Sequence, residues 1–401
     1  MMSQKDTCSN LRVLELASVL AGPSVGMFFA ELGATVVKVE NLRTRGDVTR
    51  RWKLPTEPAD TDISAYFSCV NWGKLSIGVD LTNPGGLDIV HGLVGKSDIV
   101  LASYKPGDAE KLGVDYETLS KLNPELIYAH VTGYGPKVDR PGYDAIIQAE
   151  SGFTYMNGEP DGGPVKMPVA LMDVLAAHQI KEGILLALLR RQTTGRGDYV
   201  SVSLMQAGIA SLVNQATNWL VGGKIPGRMG SDHPNIVPYG TIFHTSDGRE
   251  IVLGVGTDRQ FSELCDILGI PEVASDERFV TNQARVRHRE ELKPILQEYI
   301  ARFSRDELLE KLNEKNVPAG GVYNMKEVFQ RPEAIELLLE HEFPSGKLLK
   351  GVRSAVFVPG NMADGMKPPP HYGEHTRPVL KNLLGLDDSK IEDLYLKGAI
   401  D

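Results

Sequence analysis

The sequence predicts an α/β fold, a doubly wound parallel sheet accompanied by a smaller α+β domain. Three observations point there. Short Val-, Leu- and Ile-rich runs alternate with helix-like stretches from residue 11 to beyond residue 200. Glycine and proline punctuate the joints between them. The rhythm then changes after the breaker-rich Gly222-Gly223-Lys224-Ile225-Pro226-Gly227, where a hairpin pattern and a run of helices replace the alternation.

The elements follow in order. Leu11 to Ala17 reads as a strand, and Pro23 stands at an expected first helical turn. Ser24 to Leu32 has helical composition, Gly33 fits a C-terminal cap, and Thr35 to Glu40 is a β-branched strand. That βαβ unit is the building block of a parallel sheet. Strands are expected at Leu75 to Leu81, Asp98 to Tyr104, Leu126 to Thr132 and Tyr199 to Leu204, with helices at Pro84 to Gly95, Tyr116 to Leu122 and Asp173 to Arg191. Leu204 to Leu220 reads as one helical stretch. Tyr239 to His244 and Glu250 to Val255 flank Thr245-Ser246-Asp247-Gly248-Arg249 as a hairpin. Helices follow at Arg259 to Leu268, Arg285 to Phe303 and Arg305 to Asn316, the last with Ser304 as N-cap. From about Arg331 the chain turns apolar again, which places domain boundaries near residues 222 and 330.

A chain of 401 residues with 42% hydrophobic and 24% charged residues has ample material for a core. Its formal net charge of −9 argues against nucleic acid or an anionic membrane as partner. No apolar run approaches the roughly 18 residues of a membrane span. Cys8, Cys69 and Cys265 show no metal spacing and read as plain thiols of a reduced compartment. A cytoplasmic location is expected, although a processed organelle protein would read the same.

Several motifs fail on their own terms. The first βα turn offers Gly22 and Gly26 without the middle glycine of a dinucleotide fingerprint, so NAD is not expected, although Glu40 ends the second strand where a ribose would lie. Gly92-Leu93-Val94-Gly95-Lys96-Ser97 lacks the first glycine of a phosphate loop, because Val90 stands there. His371 and His375 lack a zincin order, so the string Gly373-Glu374-His375-Thr376 reads as a helix lead-in and no metal is expected. Lys38, Arg43, Arg45, Arg50, Arg51 and Lys53 form a basic cluster after the second strand, which is either solvated surface or an anchor for a phosphorylated ligand. Asp173, at the start of a long apolar helix, is either a cap or a chemically active carboxylate. Tyr143, Asp144 and Gln148 are polar residues that composition alone does not select.

Taken together, a set of strings resembles the class III CoA-transferase family, which includes the formyl-CoA and carnitine CoA-transferases. They are Val13-Leu14-Glu15-Leu16-Ala17 through Ala21-Gly22-Pro23, Leu32-Gly33-Ala34, Gly46-Asp47 with Arg50, Asn71-Trp72-Gly73-Lys74, Tyr104-Lys105-Pro106-Gly107, Gly142-Tyr143-Asp144 with Gln148, Gly195-Arg196-Gly197 and Gly373-Glu374-His375-Thr376. The resemblance implies a Rossmann-like large domain from residues 1–222 and 331–401, a small domain from residues 223–330, and an interlocked homodimer. It places the nucleophile on Asp173, with Asp144 and Gln148 as catalytic companions. CoA contacts fall on Leu20, Ala21, Asn71, Trp72, Gly73, Lys74, Ser103, Tyr104, Lys105, Lys111 and Tyr143. Formyl-CoA transferases carry arginine where Asn41 stands, which shifts the phosphate contact to Arg43 or Arg45. Their glycine-run loop is replaced by residues 227–239. That string, with Pro368-Pro369-Pro370, looks closer to succinate–hydroxymethylglutarate CoA-transferases, which implies a dicarboxylyl-CoA donor and Arg228 as a candidate for its free carboxylate.

The implied chemistry suits an aspartate. With a reference pKa of about 3.9, a carboxylate is ionised at neutral pH and attacks a thioester without an adjacent base. Bond types are conserved, so the exchange between acyl-CoA and a free carboxylic acid requires neither ATP nor a metal. An α-methylacyl-CoA racemase of the same superfamily is the alternative, but that chemistry needs a histidine base where Tyr143 stands. A CoA-binding protein without chemistry is the third reading.

Overall fold

The computed structural model describes residues 7–344, 346–356 and 366–401. Its centre is a six-stranded sheet, all parallel, formed by β1 (Arg12–Leu16), β2 (Thr35–Asn41), β3 (Leu75–Val79), β4 (Ile99–Ala102), β5 (Ile127–Thr132) and β6 (Asp198–Ser203). The spatial order is β3-β2-β1-β4-β5-β6, so the winding direction reverses between β1 and β4. Leu14 pairs with Val37 on one side and Val100 on the other, which fixes the register at that reversal.

Alternation sorts each strand onto two faces. Leu14, Leu16, Val37, Ile77, Val100 and Tyr128 pack under the helices Pro84–Val94, Tyr116–Leu122, Thr376–Leu384 and Asp388–Leu396. The opposite face is covered by the helices Ala21–Glu31 and Leu171–Thr194, whose buried stripes are Val25 and Phe29, and Ala176, Ile180 and Ile184. On that second face the strands carry charges as well as apolar groups. Glu15 is bonded by the ammonium groups of Lys38 (3.0 Å) and Lys74 (2.8 Å), and all three side chains are buried. Three polar partners surround Lys74, yet burial, only partly offset by Glu15, pulls its pKa down to about 8.

By contact, the chain forms two units, each cohesive in itself. The first comprises Met1–Ser151, Met167–Asn214 and Glu336–Asp401. The second comprises Gly152–Lys166 and Gln215–Ile335. The expected boundaries therefore move: Gly152–Lys166 leaves the large unit, and the breaks fall at 214/215 and 335/336. In the second unit, β7 (Tyr239–His244), β8 (Glu250–Gly254) and β9 (Ala319–Gly321) form an antiparallel sheet packed on Phe261, Leu264, Leu292, Leu296 and Leu308.

Three local expectations differ in detail. The stretch 204–220 is two helices, Leu204–Ala210 and Val213–Leu220, broken where Val213 takes φ +37°. The stretch 285–303 is likewise divided at His288 into Asn282–Arg287 and Arg289–Ile300. Ser304 occupies the N-cap position without using its hydroxyl, and Asp247 accepts the Arg305 N–H instead. Near the C-terminus a hairpin of β10 (Leu338–Glu342) and β11 (Leu348–Val352) covers Trp72, and no described helix is long and apolar enough to cross a membrane.

Candidate functional site

Loops at the carboxyl ends of the parallel strands enclose two cavities of about 230 and 430 Å³. This is where open α/β sheets bind ligands, because the connections diverge at the reversal and leave a crevice. The smaller cavity lies over the β1 and β4 ends and is lined by Leu20, Ala21, Ser103, Lys105, Tyr143 and Asp173 among others. The larger is lined by Arg43, Thr44, Arg51, Asp80 and Thr82. Ser18 and Tyr104 border both.

Asp173 stands in the first turn of the 24-residue helix Leu171–Thr194. It does not cap that helix. The N-cap residue is Ala170, which has no side chain for the task, and the Met172 N–H is bonded by Asp144 Oδ1 at 2.8 Å. Capping thus comes from another helix, Asp144–Glu150, and no hydrogen bond or ion pair is made to the Asp173 carboxylate among the described residues. Burial, and after it the negative charge of Asp144, push the Asp173 carboxyl up to about 7. The expectation of a fully ionised carboxylate at neutral pH is corrected accordingly: removal from water and a like charge both favour the protonated form.

Gln148 is buried completely, and its amide is fully committed. It accepts the Met167 N–H at 2.8 Å and donates to Asp144 Oδ2 at 2.8 Å and to the carbonyls of Met167 and Val169 at 3.3 Å. Its place is therefore to hold Asp144 and residues 167–169 beside Asp173. Gln148→Leu removes these bonds and leaves Asp144 Oδ2 without its buried amide donor, and the expected result is a loss of about 1–3 kcal/mol in denaturant unfolding.

Other expected contacts are placed differently. The side chains of Asn71, Trp72 and Lys74 point into the interior: Asn71 and Lys74 join the Glu15 network, and Trp72 packs on Met27 and Leu339. Gly73 sits beside Met366 and Ala30 at φ +73°. None of the four lines either cavity. Lys111 is exposed and paired with Asp108. Arg228 belongs to the second unit, where it bonds the carbonyls of Gly162 and Tyr155. The basic cluster divides: Lys38 and Arg50 are buried in ion pairs, whereas Arg43 is mostly exposed and bonds Asp80 at 2.9 Å. Glu40 is closed to a ribose, because Arg50, Ser76 and the Asp47 N–H occupy its oxygens.

The comparisons with known proteins decide the family. The sequence model described as CoA-transferase family III matches residues 8–376. The chain belongs to CoA-transferase family III. A succinate–glutarate CoA-transferase of Agrobacterium fabrum is 40% identical over 391 residues, covering 96% of this chain and 97% of the relative. The human succinyl-CoA:glutarate CoA-transferase is 35% identical, covering 98% and 89% respectively. Among solved structures, a CaiB/BaiF family protein from Brucella suis superposes with a TM-score of 0.82 at 37% identity, covering 94% of this chain and all of that one.

Two features of this family III site carry no sequence motif. Tyr66 is held up to about 12, by burial first and then by the charge of Asp173, so its phenol stays protonated at neutral pH. Val19 has φ +71°, a left-handed conformation that costs a β-branched residue on the order of 1–3 kcal/mol. The turn it sits in is tight, since a Cβ on Gly22 would fall 2.4 Å from the Ala17 Cβ. Valine in such a turn gives no warning in sequence, where glycine would have done so.

Proposed function

We propose that this family III enzyme moves CoA from succinyl-CoA to a small free dicarboxylic acid, with Asp173 as the temporary carrier. The observation that carries the reading is an unpartnered carboxylate in the first turn of a helix, facing a cavity at the reversal of a parallel sheet. Relatives named for succinate, succinyl-CoA and glutarate support the donor and acceptor classes.

In this scheme the ionised Asp173 attacks the succinyl thioester carbonyl and expels CoA thiolate, leaving a succinyl–aspartyl anhydride. The thiolate attacks the aspartyl carbonyl and releases succinate, leaving an aspartyl-CoA thioester. The acceptor carboxylate then displaces the thiolate to form a second anhydride. Thiolate attack on the acceptor acyl carbon releases the new thioester and regenerates Asp173. The positive end of the helix dipole favours developing oxyanions beside Asp173, the Leu171 and Met172 N–H groups being already bonded to the Val169 carbonyl and Asp144. The larger cavity, with Arg43 and Arg51, suits the phosphates and nucleoside of CoA.

No histidine lines the smaller cavity among the described residues, which favours transfer over racemisation. A homodimer belongs to the reading as well, supported by exposed Leu186 (66%) and Leu189 (61%) on the long helix. Unpaired Cys8, Cys69 and Cys265 fit a cytoplasmic location.

The test is a panel of mono- and dicarboxylic acids offered with succinyl-CoA and read by mass spectrometry. New thioesters of dicarboxylic acids in preference to monocarboxylic ones are expected. Hydrolysis alone, or exchange of the α-hydrogen of a 2-methylacyl-CoA with solvent, would remove the transferase reading.

A further inference from the structure

The strained turn between the two cavities is gripped from both sides. Lys38 Nζ donates to the Ala17 carbonyl at 3.0 Å, and Asp47 accepts the Val19 N–H at 3.2 Å through Oδ2 and 3.4 Å through Oδ1. Lys38 and Asp47 are joined to each other at 3.0 Å, and both side chains are 1% exposed. Around this pair, Asp47 is fixed by the Thr49 N–H and hydroxyl, and Lys38 by Glu15. The Ser18 N–H reaches across the sheet reversal to the Ser103 hydroxyl at 3.2 Å. The residues so held border both cavities: Ala17, Ser18 and Asp47 line the larger, and Ser18, Val19, Leu20 and Ala21 the smaller with Asp173.

We propose that the Lys38–Asp47 ion pair is a positioning device for CoA transfer, clamping Val19 in its left-handed conformation so that the 18–21 backbone holds the thioester against Asp173. A valine left to itself leaves this conformation, because its branched Cβ collides with the neighbouring peptide. The pair supplies what the residue type lacks, by anchoring the Ala17 carbonyl, two residues before the strained one, and the Val19 N–H. Neither Lys38 nor Asp47 touches the reacting atoms in this arrangement; both act through the turn. The inference rests on the transferase reading above.

The experiment compares Asp47→Ala with the double variant Asp47→Ala/Val19→Gly, using succinyl-CoA and an acid that the wild type accepts. Glycine adopts positive φ without strain, so it restores the turn without the clamp. In Asp47→Ala, kcat is expected to fall by roughly 10- to 100-fold, with a smaller change in KM. The double variant is expected to regain about tenfold or more of that loss, while its melting temperature stays near that of Asp47→Ala. A kcat for Asp47→Ala within about threefold of wild type, or a loss that Val19→Gly does not recover, overturns the clamp. Should Asp47→Ala not fold, the isosteric Asp47→Asn and its Val19→Gly partner are read against the same criterion. If neither folds, the pair holds the fold rather than the turn, and the proposal is overturned. An inactive wild type would instead strike the transferase reading, so the two failures are distinguishable.

Discussion

Asp173→Ala is expected to lose CoA transfer by about 10⁴-fold or more, since Asp144, the other carboxylate that lines the smaller cavity, is committed to the Met172 N–H and the Gln148 amide. The same variant is expected to keep its fold and still bind CoA. Asp173 makes no hydrogen bond that a methyl group would break, and the first turn of its helix is capped by Asp144. Removing the carboxylate also relieves a burial cost. Because its folded pKa, near 7, lies above the ordinary 3.8, the stability it contributes is complete below pH 4 and is lost as pH rises through 7. Asp173→Asn should therefore be more stable than wild type at pH 8, by on the order of 4 kcal/mol at most, with the gap closing towards pH 4. Comparison of melting curves at the two pH values checks this, and equal gaps at both would contradict it.

The second large effect is on the pH profile. In the proposed scheme only ionised Asp173 attacks, so kcat/KM is expected to rise with pH through a midpoint near 7, and at pH 6 to lie roughly tenfold below its plateau. Asp144→Asn removes the neighbouring negative charge, and the midpoint should move to lower pH. Burial, the larger cause, remains and keeps it above the usual carboxylate range. The substitution has a separate cost: one face of the new amide sets N–H against the Gln148 Nε2 donor, and the Met172 N–H loses a charged cap, together about 1 kcal/mol or more of stability. A pH–rate profile with an unchanged midpoint in Asp144→Asn would show that the two carboxylates do not interact.

The sheet was legible because its inner strands are buried on both faces and so read as continuous Val, Leu and Ile runs, as in Ile99–Ala102 and Ile127–Thr132. Glycine and proline marked the joints, and the family strings pointed to Asp173, Asp144, Leu20, Ala21, Ser103 and Lys105, all of which line the smaller cavity. Illegible features were those in which one chain segment answers another far away. Glu15, Lys38 and Lys74 are single charges within apolar runs, and only the parallel register places them together. Residues 152–166 pass into the second unit without a breaker at either boundary comparable to Gly222-Gly223. Likewise Gln148 looks available for substrate in sequence, whereas the fold uses all of its amide to hold the backbone around Asp173. The Asp173 carboxylate itself reads as ionised from its residue type, and only burial beside Asp144 shifts it.

The temporary bond proposed for Asp173 is open to direct observation. Incubation with succinyl-CoA in the absence of acceptor, a hydroxylamine quench, and peptide mass spectrometry would capture either acylated state as a hydroxamate. The result expected is modification confined to the peptide bearing Asp173, dependent on succinyl-CoA and absent from Asp173→Ala. Turnover proceeding with Asp173 unmodified, or with the adduct on another residue, would contradict the carboxylate as carrier.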